Sequence, residues 1–303
     1  MKSVFDAVIV GCGPAGMTAA IYLKRAKKNI LLIEKSAPGG QLLKTNAIEN
    51  YPGFLKISGV ALSLKMLEQL NNLNIETHYG NILKIEKEKN TFKLETDVEE
   101  IYAKTVILAT GRQPKLLGLK NEQKLIGRGI SYCATCDGPL YKDKTVGVVG
   151  GGNTAVEEAM YLADICKKVY LFHRNENLRA EETNIEKLNK YENIEIILNS
   201  VVDTLFEKDN KLESVKTTDN EYYKLEGLFI FIGQIPNNEI YNNEQINLEN
   251  GYITVNENME TSLAGVYACG DIIKKEYYQI STAVGEATIA ALSAQKKINQ
   301  TKF

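Results

Sequence analysis

Short apolar runs and glycine-rich turns alternate at the start of the chain. Residues 5–10 form a nearly continuous apolar run, and residues 29–34 form a second run that ends in Glu34. Runs of this length, bounded by turns, are typical of strands buried on both faces of a parallel sheet. The segment between them is predicted to be helical as far as Ala26. The pattern therefore predicts a strand, a glycine turn, a helix and a second strand, which is the order of a dinucleotide-binding unit.

The turn between the first strand and the helix has the sequence Gly11-Cys12-Gly13-Pro14-Ala15-Gly16. Glycines at these spacings let the backbone approach a pyrophosphate, and the helix N-terminus presents unpaired N–H groups to the phosphates. We expect Glu34, at the end of the second strand, to accept hydrogen bonds from the hydroxyls of an adenosine ribose.

The same unit occurs again 139 positions later. Residues 145–149 form an apolar strand, followed by the turn 150–155 (Gly-Gly-Gly-Asn-Thr-Ala), a helix to about Ile165 and a strand over 169–172. The correspondence pairs Gly11, Gly13 and Gly16 with Gly150, Gly152 and Ala155. One such glycine motif is weak evidence, but two in register predict a duplicated fold that binds two nucleotides.

The residue at the end of the second strand differs between the two copies. His173 stands where the first copy has Glu34, and Arg174 and Arg179 follow it. An acid at this place binds free ribose hydroxyls, whereas an arginine accommodates a 2′-phosphate. The first site therefore suits FAD and the second NADPH, with solvated surface charges as the alternative interpretation of the basic residues.

The remaining pattern completes an α/β fold. Residues 60–71 have helical spacing, and residues 75–103 form short strand-like segments separated by turns, which predicts a β-meander. Each half closes with a buried strand followed by glycine and proline, at 105–114 and 227–236. A segment over 265–271 leads to a final helix.

We predict two Rossmann-like nucleotide-binding domains, each with a small β-meander. The FAD-binding domain is discontinuous, over residues 1–115 and 243–303. The NAD(P)H-binding domain is inserted at 116–242. A chain of 303 residues is long enough for two such domains.

Composition and charge exclude several classes of function. The formal net charge of −2 carries no electrostatic signature of nucleic-acid binding. No apolar run approaches the roughly 18 residues of a spanning helix, and the run at 5–10 is too short for a secretory signal. Five cysteines and two histidines fit neither a disulfide framework nor a metal centre. The sequence therefore predicts a cytoplasmic protein with no membrane or nucleic-acid partner.

Two of the cysteines lie close together, in Cys133-Ala-Thr-Cys136, before the second nucleotide unit. In a cytosolic protein this spacing indicates a catalytic or metal-binding pair, and the further ligands that zinc needs are missing. A redox disulfide between two nucleotide sites can take two electrons from a flavin and become two thiols. Asp137 is the candidate proton donor to the leaving sulfur, with a turn residue before Gly138 as the alternative. We expect the other three cysteines to be small buried hydrophobes.

With these motifs, the chain resembles the low-molecular-weight thioredoxin reductases nearly from end to end. The most specific element is the run from Cys133 to Asp137, placed before the second glycine turn. Further matches to the flavin-site motifs of that family are Gly39-Gly40-Gln41-Leu42, Asn50-Tyr51-Pro52-Gly53, Gly270-Asp271, and Gln279 with Thr282, Ala283 and Gly285.

The resemblance implies a homodimeric FAD enzyme that transfers electrons from NADPH to thioredoxin. It implies that Cys136 lies nearer the flavin, that Cys133 attacks the thioredoxin disulfide, and that Asp137 is the acid–base residue. It also implies a rotation of the inserted domain, with hinges near 114–118 and 241–245. The implied FAD contacts are Gly11, Gly13, Pro14, Ala15, Glu34, Lys35, Gly40, Gln41, Leu42, Asn50, Thr110, Gly111, Gly270, Asp271, Gln279 and Ile280. The implied NADPH contacts are Gly150, Gly152, Asn153, Thr154, Ala155, His173, Arg174 and Arg179.

Two departures from the family pattern concern the pyridine nucleotide. The usual His-Arg-Arg-x-x-x-Arg lacks its middle arginine here, because Asn175 stands there with Glu176 beside it. The loss of one charge-assisted contact should weaken recognition of the 2′-phosphate by about 1.5–3 kcal/mol, roughly ten- to hundredfold. The family's arginine before Gln279 is Tyr278 in this chain. Use of NADH, alone or beside NADPH, therefore stays open.

Three other functions also stay open at this point. A flavin thioredoxin reductase that takes electrons from ferredoxin would lack the second glycine motif and its arginines. A dithiol oxidase should have eroded nucleotide motifs as well. A flavin-containing redox sensor with a regulatory disulfide would show no turnover. The intact motif at 150–155 favours a thioredoxin reductase that uses a pyridine nucleotide.

Overall fold

The computed structural model describes residues 4–45, 48–238 and 246–300. The chain divides into two compact units. The first unit comprises Met1–Gln113 and Ile235–Phe303, and the second unit comprises Pro114–Gln234. The predicted α/β class is confirmed, and each unit combines parallel strands with an antiparallel β-meander. The hinge predicted at 241–245 lies outside the described residues.

Both units are built from strands and helices. The strands are β1 (Val4–Val10), β2 (Ile30–Glu34), β3 (Thr77–Tyr79), β4 (Ile82–Glu88), β5 (Thr91–Thr96), β6 (Glu100–Leu108), β7 (Arg112–Pro114), β8 (Ile130–Ser131), β9 (Thr145–Val149), β10 (Lys168–Phe172), β11 (Ile194–Ile197), β12 (Val202–Lys208), β13 (Lys211–Thr217), β14 (Tyr222–Lys224), β15 (Gly227–Ile230), β16 (Gln234–Pro236), β17 (Leu248–Glu249), β18 (Tyr252–Ile253) and β19 (Val266–Ala268). The helices are α1 (Pro14–Arg25), α2 (Gly59–Asn72), α3 (Glu122–Leu125), α4 (Ala134–Asp137), α5 (Asn153–Ala163), α6 (Glu182–Leu188) and α7 (Ile280–Gln300). Within the described ranges, no helix combines the length and the apolar character that a membrane crossing requires.

The main sheet of the first unit is parallel through β3, β2, β1 and β6. Val8 of β1 lies opposite Leu31 of β2 on one side and Val106 of β6 on the other. Because β1 is a central strand, the glycine turn that follows it lies in the middle of the carboxyl edge. This is the edge at which parallel α/β sheets bind their ligands.

Strand β6 belongs to both the parallel sheet and the antiparallel meander. Its beginning pairs with β5, with Leu94 opposite Ile101, and its end pairs with β19, with Val106 opposite Val266. The sequence predicted a separate strand over 105–109 after the meander, but the structure has one strand, Glu100–Leu108. Its burial alternates at first and then becomes continuous, because only the second half is covered on both faces.

Small side chains let helices α1 and α7 of the first unit pack closely. Ala19 and Leu23 of α1 belong to one buried cluster with Ala287 and Ala290 of α7. Alanines at such positions permit close approach of two helices without leaving a void. This packing fixes the start of α1, which follows the first glycine turn.

The second unit repeats the arrangement on its own sheet. Its strands follow the parallel order β11-β10-β9-β15-β8, and Val148 of β9 lies opposite Leu171 and Phe229. Strands β12, β13 and β14 form an antiparallel meander, whose buried Leu205 and Val215 share a cluster with the sheet. The second glycine turn therefore follows a central strand, as the first one does.

Candidate functional site

The first glycine turn is held tightly against the neighbouring strand end. Gly11 has φ +104°, and a Cβ at this position would lie 2.4 Å from the carbonyl oxygen of Ala109. A Cβ on Gly16 would lie 1.7 Å from the carbonyl oxygen of Gly11. Helix α1 starts at Pro14 with Gly13 as its N-cap, which supplies no side-chain hydrogen bond. The N–H groups of the first turn are therefore available to an anionic ligand.

A cleft opens at the carboxyl edge of the first unit. The predicted residues Gly11, Glu34, Lys35 and Thr110 line it. Two further lining residues that the sequence analysis did not single out are Asn81 and Asn237. The cleft therefore brings together residues from positions 10 to 237 of the chain.

Asn237 is fixed beside Thr110 by two reciprocal hydrogen bonds. The side-chain amide of Asn237 donates to the carbonyl of Thr110 over 2.8 Å, and the Thr110 hydroxyl donates to the carbonyl of Asn237 over 3.0 Å. The Oδ1 atom of Asn237 is buried and finds no donor among the described residues. Asn237 directly follows the glycine and proline that close the second half of the sequence. Those two residues were interpreted above only as the end of a strand.

Glu34 is held rigidly at the rim of this cleft. Its Oε2 atom accepts a hydrogen bond of 2.7 Å from the backbone N–H of Cys12, inside the glycine turn. Its Oε1 atom accepts from the N–H and the hydroxyl of Ser36, over 3.0 and 3.2 Å. A carboxylate fixed at the end of the second strand is the arrangement that receives ribose hydroxyls.

The loop with Gly39 and Gly40 packs onto the first glycine turn. The N–H of Gly39 donates to the carbonyl of Cys12 over 2.7 Å. Gly40 has φ +56°, and a Cβ there would lie 3.4 Å from the Cα of Gly13. Gln41 and Leu42 continue this loop as a 3₁₀ turn, in which Leu42 is buried.

The predicted pair Gly270-Asp271 approaches the start of α1 from the other side. A Cβ on Gly270 would lie 2.9 Å from the Cβ of Ala15. The N–H of Gly270 donates to Glu286 of α7 over 2.9 Å, and burial raises the pKa of that carboxyl although Lys275 opposes the shift. This places Gly270 beside the helix that follows the glycine turn.

Asn50 and Gln279, both predicted flavin contacts, also meet. The side-chain amide of Asn50 donates to the Oε1 atom of Gln279 over 3.2 Å. Ile280 follows as the first residue of α7. Two segments separated by 229 positions are thereby joined within the first unit.

The second glycine turn has the same geometry in the second unit. Gly150 has φ +154°, and a Cβ there would lie 2.5 Å from the carbonyl oxygen of Phe231. Helix α5 starts at Asn153 after Gly152, again without a side-chain cap. The side chain of Asn153 accepts a hydrogen bond of 2.7 Å from the N–H of Glu181. This bond ties the helix start to the loop that carries the predicted arginines.

His173 lies beneath this turn, whereas the arginines are exposed. The histidine is 3% exposed, and a Cβ on Gly151 would lie 2.2 Å from its Nδ1 atom. Burial, together with the charges of Arg179 and Arg174, lowers the pKa of His173. The N–H of Arg179 donates to the carbonyl of Gly151 over 2.6 Å. The loop therefore holds two exposed guanidinium groups next to the turn, above a neutral packed imidazole.

The cysteine pair forms a disulfide at the start of α4. Cys133 and Cys136 are bonded, with 5.3 Å between their Cα atoms. The N–H of Cys136 donates to the Sγ atom of Cys133 over 3.2 Å. The buried hydroxyl of Ser131 accepts from the N–H of Cys133 over 3.0 Å, which fixes the approach to the pair. Cys133 is buried and Cys136 is exposed, with Asp137 next to it in the chain.

A buried carboxylate supports the segment before the disulfide. Glu122 is 1% exposed and accepts hydrogen bonds from the N–H groups of Leu117, Gly118 and Leu119 over 2.8, 2.7 and 3.1 Å. The sequence gives no signal for this residue, because a lone glutamate at the start of a short helix shows no periodicity.

The remaining cysteines, Cys12, Cys166 and Cys269, are buried free thiols. Burial raises the pKa of Cys12 and of Cys166 to about 11, and it raises the pKa of Cys269 further. Thiols in this state are poor nucleophiles at neutral pH. Among the described residues, no group of histidine, cysteine and acidic side chains could hold a metal ion.

Comparison with known proteins agrees with this architecture. The family model for pyridine nucleotide-disulphide oxidoreductases matches residues 5–287. The chain belongs to this family and, within it, to the thioredoxin reductases. It is therefore an oxidoreductase.

Relatives in this family match over nearly their whole length. The thioredoxin reductase of Mycoplasma genitalium is 43% identical over 302 residues, which cover 97% of this chain and 96% of that protein. The thioredoxin reductase of Bacillus subtilis is 40% identical and covers 99% of this chain and 96% of its own length. The crystal structure of Lactococcus lactis thioredoxin reductase is 39% identical, with a TM-score of 0.89 over 98% of this chain and 100% of that one.

Proposed function

We propose that this protein is an NADPH-dependent thioredoxin-disulfide reductase. NADPH would supply a hydride, bound FAD would carry the two electrons, and the Cys133–Cys136 disulfide would pass them to oxidised thioredoxin. In the balanced reaction, NADPH, a proton and thioredoxin disulfide give NADP⁺ and thioredoxin dithiol. The observation that carries the proposal is the disulfide, which lies in the same unit as the second glycine turn.

The cleft of the first unit fits FAD. The Oδ1 atom of Asn237, which has no donor among the described residues, suits a hydroxyl group of FAD. The uncapped helix start after Gly13 suits its phosphates, and the fixed carboxylate of Glu34 suits its ribose. When bound, FAD supplies a carrier that takes a hydride from a nicotinamide and reduces a disulfide. Gly11 and Gly40 adopt positive φ values, and they would let the backbone lie close to the cofactor.

The exchange with thioredoxin would use both cysteines in turn. The Cys133 thiolate attacks the thioredoxin disulfide and forms a mixed disulfide, and one thioredoxin sulfur leaves as a thiolate. Cys136 then attacks the Cys133 sulfur, re-forms the internal disulfide and releases reduced thioredoxin. The N–H of Cys136, which donates to the Cys133 sulfur, stabilises a thiolate there. We assign Asp137 as the group that protonates the leaving thiolate.

Cys133 is 9% exposed, so its attack on a protein disulfide requires a rearrangement that exposes the sulfur.

The choice of electron donor depends on the loop after β10. The exposed Arg174 and Arg179 favour a nucleotide that carries a 2′-phosphate. The exposed Glu176 opposes it by charge repulsion. We therefore propose NADPH as the donor, with a preference over NADH that is smaller than three arginines would give.

We also propose a homodimer built on the first unit. Its helices carry exposed apolar side chains, including Leu64 of α2, which is 61% exposed, and Leu292 of α7, which is 49% exposed. In the proposed dimer, the partner copy would cover these side chains. Light scattering coupled to gel filtration measures the assembly directly, and a mass of one chain would contradict the dimer.

The test of the proposed function is anaerobic stopped-flow reduction of the purified yellow protein. NADPH and NADH are mixed separately with the enzyme, and bleaching of the flavin absorbance is followed. We expect fast bleaching by NADPH and slower bleaching by NADH. Bleaching by NADH alone would overturn the donor assignment. If dithionite bleaches the flavin and neither nucleotide does, the donor is another protein and the proposed reaction is wrong.

A further inference from the structure

Arg112, which the sequence analysis did not single out, lies in a half-enclosed cluster of charges in the first unit. Its Nη2 atom lies 3.1 Å from the Oδ2 atom of Asp271, and the two side chains are 18% and 21% exposed. Its guanidinium carbon lies 3.9 Å from the centre of the Tyr278 ring. One edge of the guanidinium therefore contacts a carboxylate and one face stacks on an aromatic ring.

The charges of this cluster balance without any ligand. Lys275 lies 3.6 Å from the carboxylate of Asp271 and 2.9 Å from that of Glu286. Arg112 and Lys275 thus face Asp271 and Glu286, two cations against two anions. A ligand that approaches this cluster need bring only a hydrogen-bond acceptor and no further charge.

One buried donor of Arg112, the Nε–H, has no acceptor among the described residues. A buried N–H without an acceptor is costly, and native proteins keep few of them. The rest of the guanidinium is already fixed by Asp271 and Tyr278, so this N–H points in one direction only. That geometry suits an acceptor supplied from outside the chain.

Asp271 connects the cluster to the start of α1. It follows Gly270, which abuts Ala15 at the start of α1, next to the first glycine turn. The ion pair with Arg112 joins positions that are 159 residues apart and holds the Asp271 carboxylate in one orientation. A side chain that orients Asp271 therefore acts on whatever ligand occupies the start of α1.

We propose that Arg112 is a positioning residue for bound FAD. Its Nη2 atom orients the carboxylate of Asp271, its Nε–H donates to an uncharged acceptor oxygen of the flavin dinucleotide, and the Tyr278 ring is the platform that fixes the guanidinium. This inference rests on the proposed function only in taking the ligand of the first unit to be FAD. In this proposal, the role of Tyr278 is to hold the guanidinium of Arg112 in place by stacking.

The experiment measures release of FAD from the purified flavoprotein, followed by the rise in flavin fluorescence after dilution. We expect Arg112→Ala to accelerate release about tenfold to hundredfold, the range of a lost charge-assisted hydrogen bond. Arg112→Lys should fall between this variant and wild type, because it keeps the charge and loses the Nε–H. Tyr278→Phe should release FAD at the wild-type rate, because the stacking face remains.

The matched control is Lys104→Ala, in the Lys104–Asp6 pair of the same unit. This pair spans 2.9 Å and its side chains are 26% and 20% exposed, close to the values for Arg112 and Asp271. Added guanidinium at low concentration should slow release from Arg112→Ala and leave Lys104→Ala unchanged, which a general loss of stability would not produce. If Arg112→Ala fails to fold, Arg112→Lys alone decides the outcome.

Three results would overturn the proposal. They are wild-type release from both Arg112 variants, equal acceleration in Lys104→Ala, or a purified wild-type protein that holds no FAD. Failure of the proposed reaction can be distinguished from failure of the proposal for Arg112. If NADPH does not bleach the wild-type flavin but release is still accelerated in Arg112→Ala, the donor assignment is wrong and the role of Arg112 stands.

Discussion

The hydroxyl of Tyr132 donates a hydrogen bond of 2.6 Å to the carboxylate of Glu122. Tyr132 directly precedes Cys133, and the same carboxylate holds the N–H groups of the loop over 117–119. Burial, and then this hydrogen bond, raise the pKa of Tyr132 well above its usual range, so the phenol stays protonated and remains a donor. The segment before the disulfide is therefore tied to the beginning of the second unit.

Replacement of Glu122 should show how much its hydrogen bonds contribute to the free energy of unfolding. A glutamine keeps the shape but offers one acceptor oxygen to four donors, so we expect Glu122→Gln to lower the stability of the second unit by about 1–3 kcal/mol. Tyr132→Phe should cost less, because it removes a single donor. Urea unfolding measures the loss of stability in both variants. Tyr102→Phe is the matched control, since its hydroxyl contacts the exposed Glu100 over 3.2 Å, and a loss of equal size there would refute the assignment.

The neighbouring glycines Gly151 and Gly152 should respond differently to alanine. A Cβ on Gly151 would lie 2.2 Å from the buried ring of His173, whereas a Cβ on Gly152 meets nothing within 4 Å. We expect Gly151→Ala to lower stability by about 1–3 kcal/mol through overpacking. Gly152→Ala should fold normally and raise the KM for NADPH, because its methyl group would face the nucleotide that we propose binds at this turn. Thermal melts and steady-state kinetics separate the two, and equal melts would contradict the packing argument.

Glu176 should limit the preference for NADPH. Glu176→Arg replaces a repulsive charge by an attractive one beside Arg174, and we expect the KM for NADPH to fall by about tenfold or more, with the KM for NADH nearly unchanged. Glu213→Arg, an exposed position on the meander of the same unit, makes the same change in net charge. If both variants lower the KM equally, the effect is general electrostatic attraction and not recognition of the 2′-phosphate.

Loss of one sulfur should separate the two half-reactions. Cys136→Ser cannot form the internal disulfide, so we expect NADPH to bleach its flavin while thioredoxin turnover is lost. Cys166→Ser changes a buried thiol of the same unit and should retain turnover. Coupled thioredoxin assays and anaerobic bleaching measure the two steps. Unchanged turnover in Cys136→Ser would remove the pair from the reaction.

Glu158 of α5 should make stability fall as the pH rises. Burial, with a smaller contribution from Glu157, raises its pKa to about 7 from the ordinary 4.5, and its Oε2 atom has no donor among the described residues. Between these pH values the folded protein binds more protons than the unfolded chain, so stability decreases with pH. We expect the gain in melting temperature of Glu158→Gln over wild type to grow from about pH 5 to pH 8. Glu186→Gln, at an exposed position of α6, should show no such trend.

Local sequence determined much of the fold and of the candidate site. The two glycine turns could be predicted because Gly11 and Gly150 need backbone conformations and close contacts that other residues resist. The continuity of β6 could not, because the change from one-sided to two-sided burial depends on β19, far along the chain. Contacts such as Arg112 with Asp271 were missed for the same reason, since no periodicity links positions 159 residues apart.

The burial of Cys12, Cys166 and Cys269 has a practical consequence. Because their thiols are shielded and hard to ionise, an alkylating reagent applied to the native protein should modify only sulfurs released from the Cys133–Cys136 bond. Mass spectrometry of the alkylated chain would then give the fraction of molecules in which the disulfide has been reduced. This measurement needs no absorbance signal from a bound flavin. The number of alkylated cysteines per chain therefore reports whether the disulfide is oxidised or reduced.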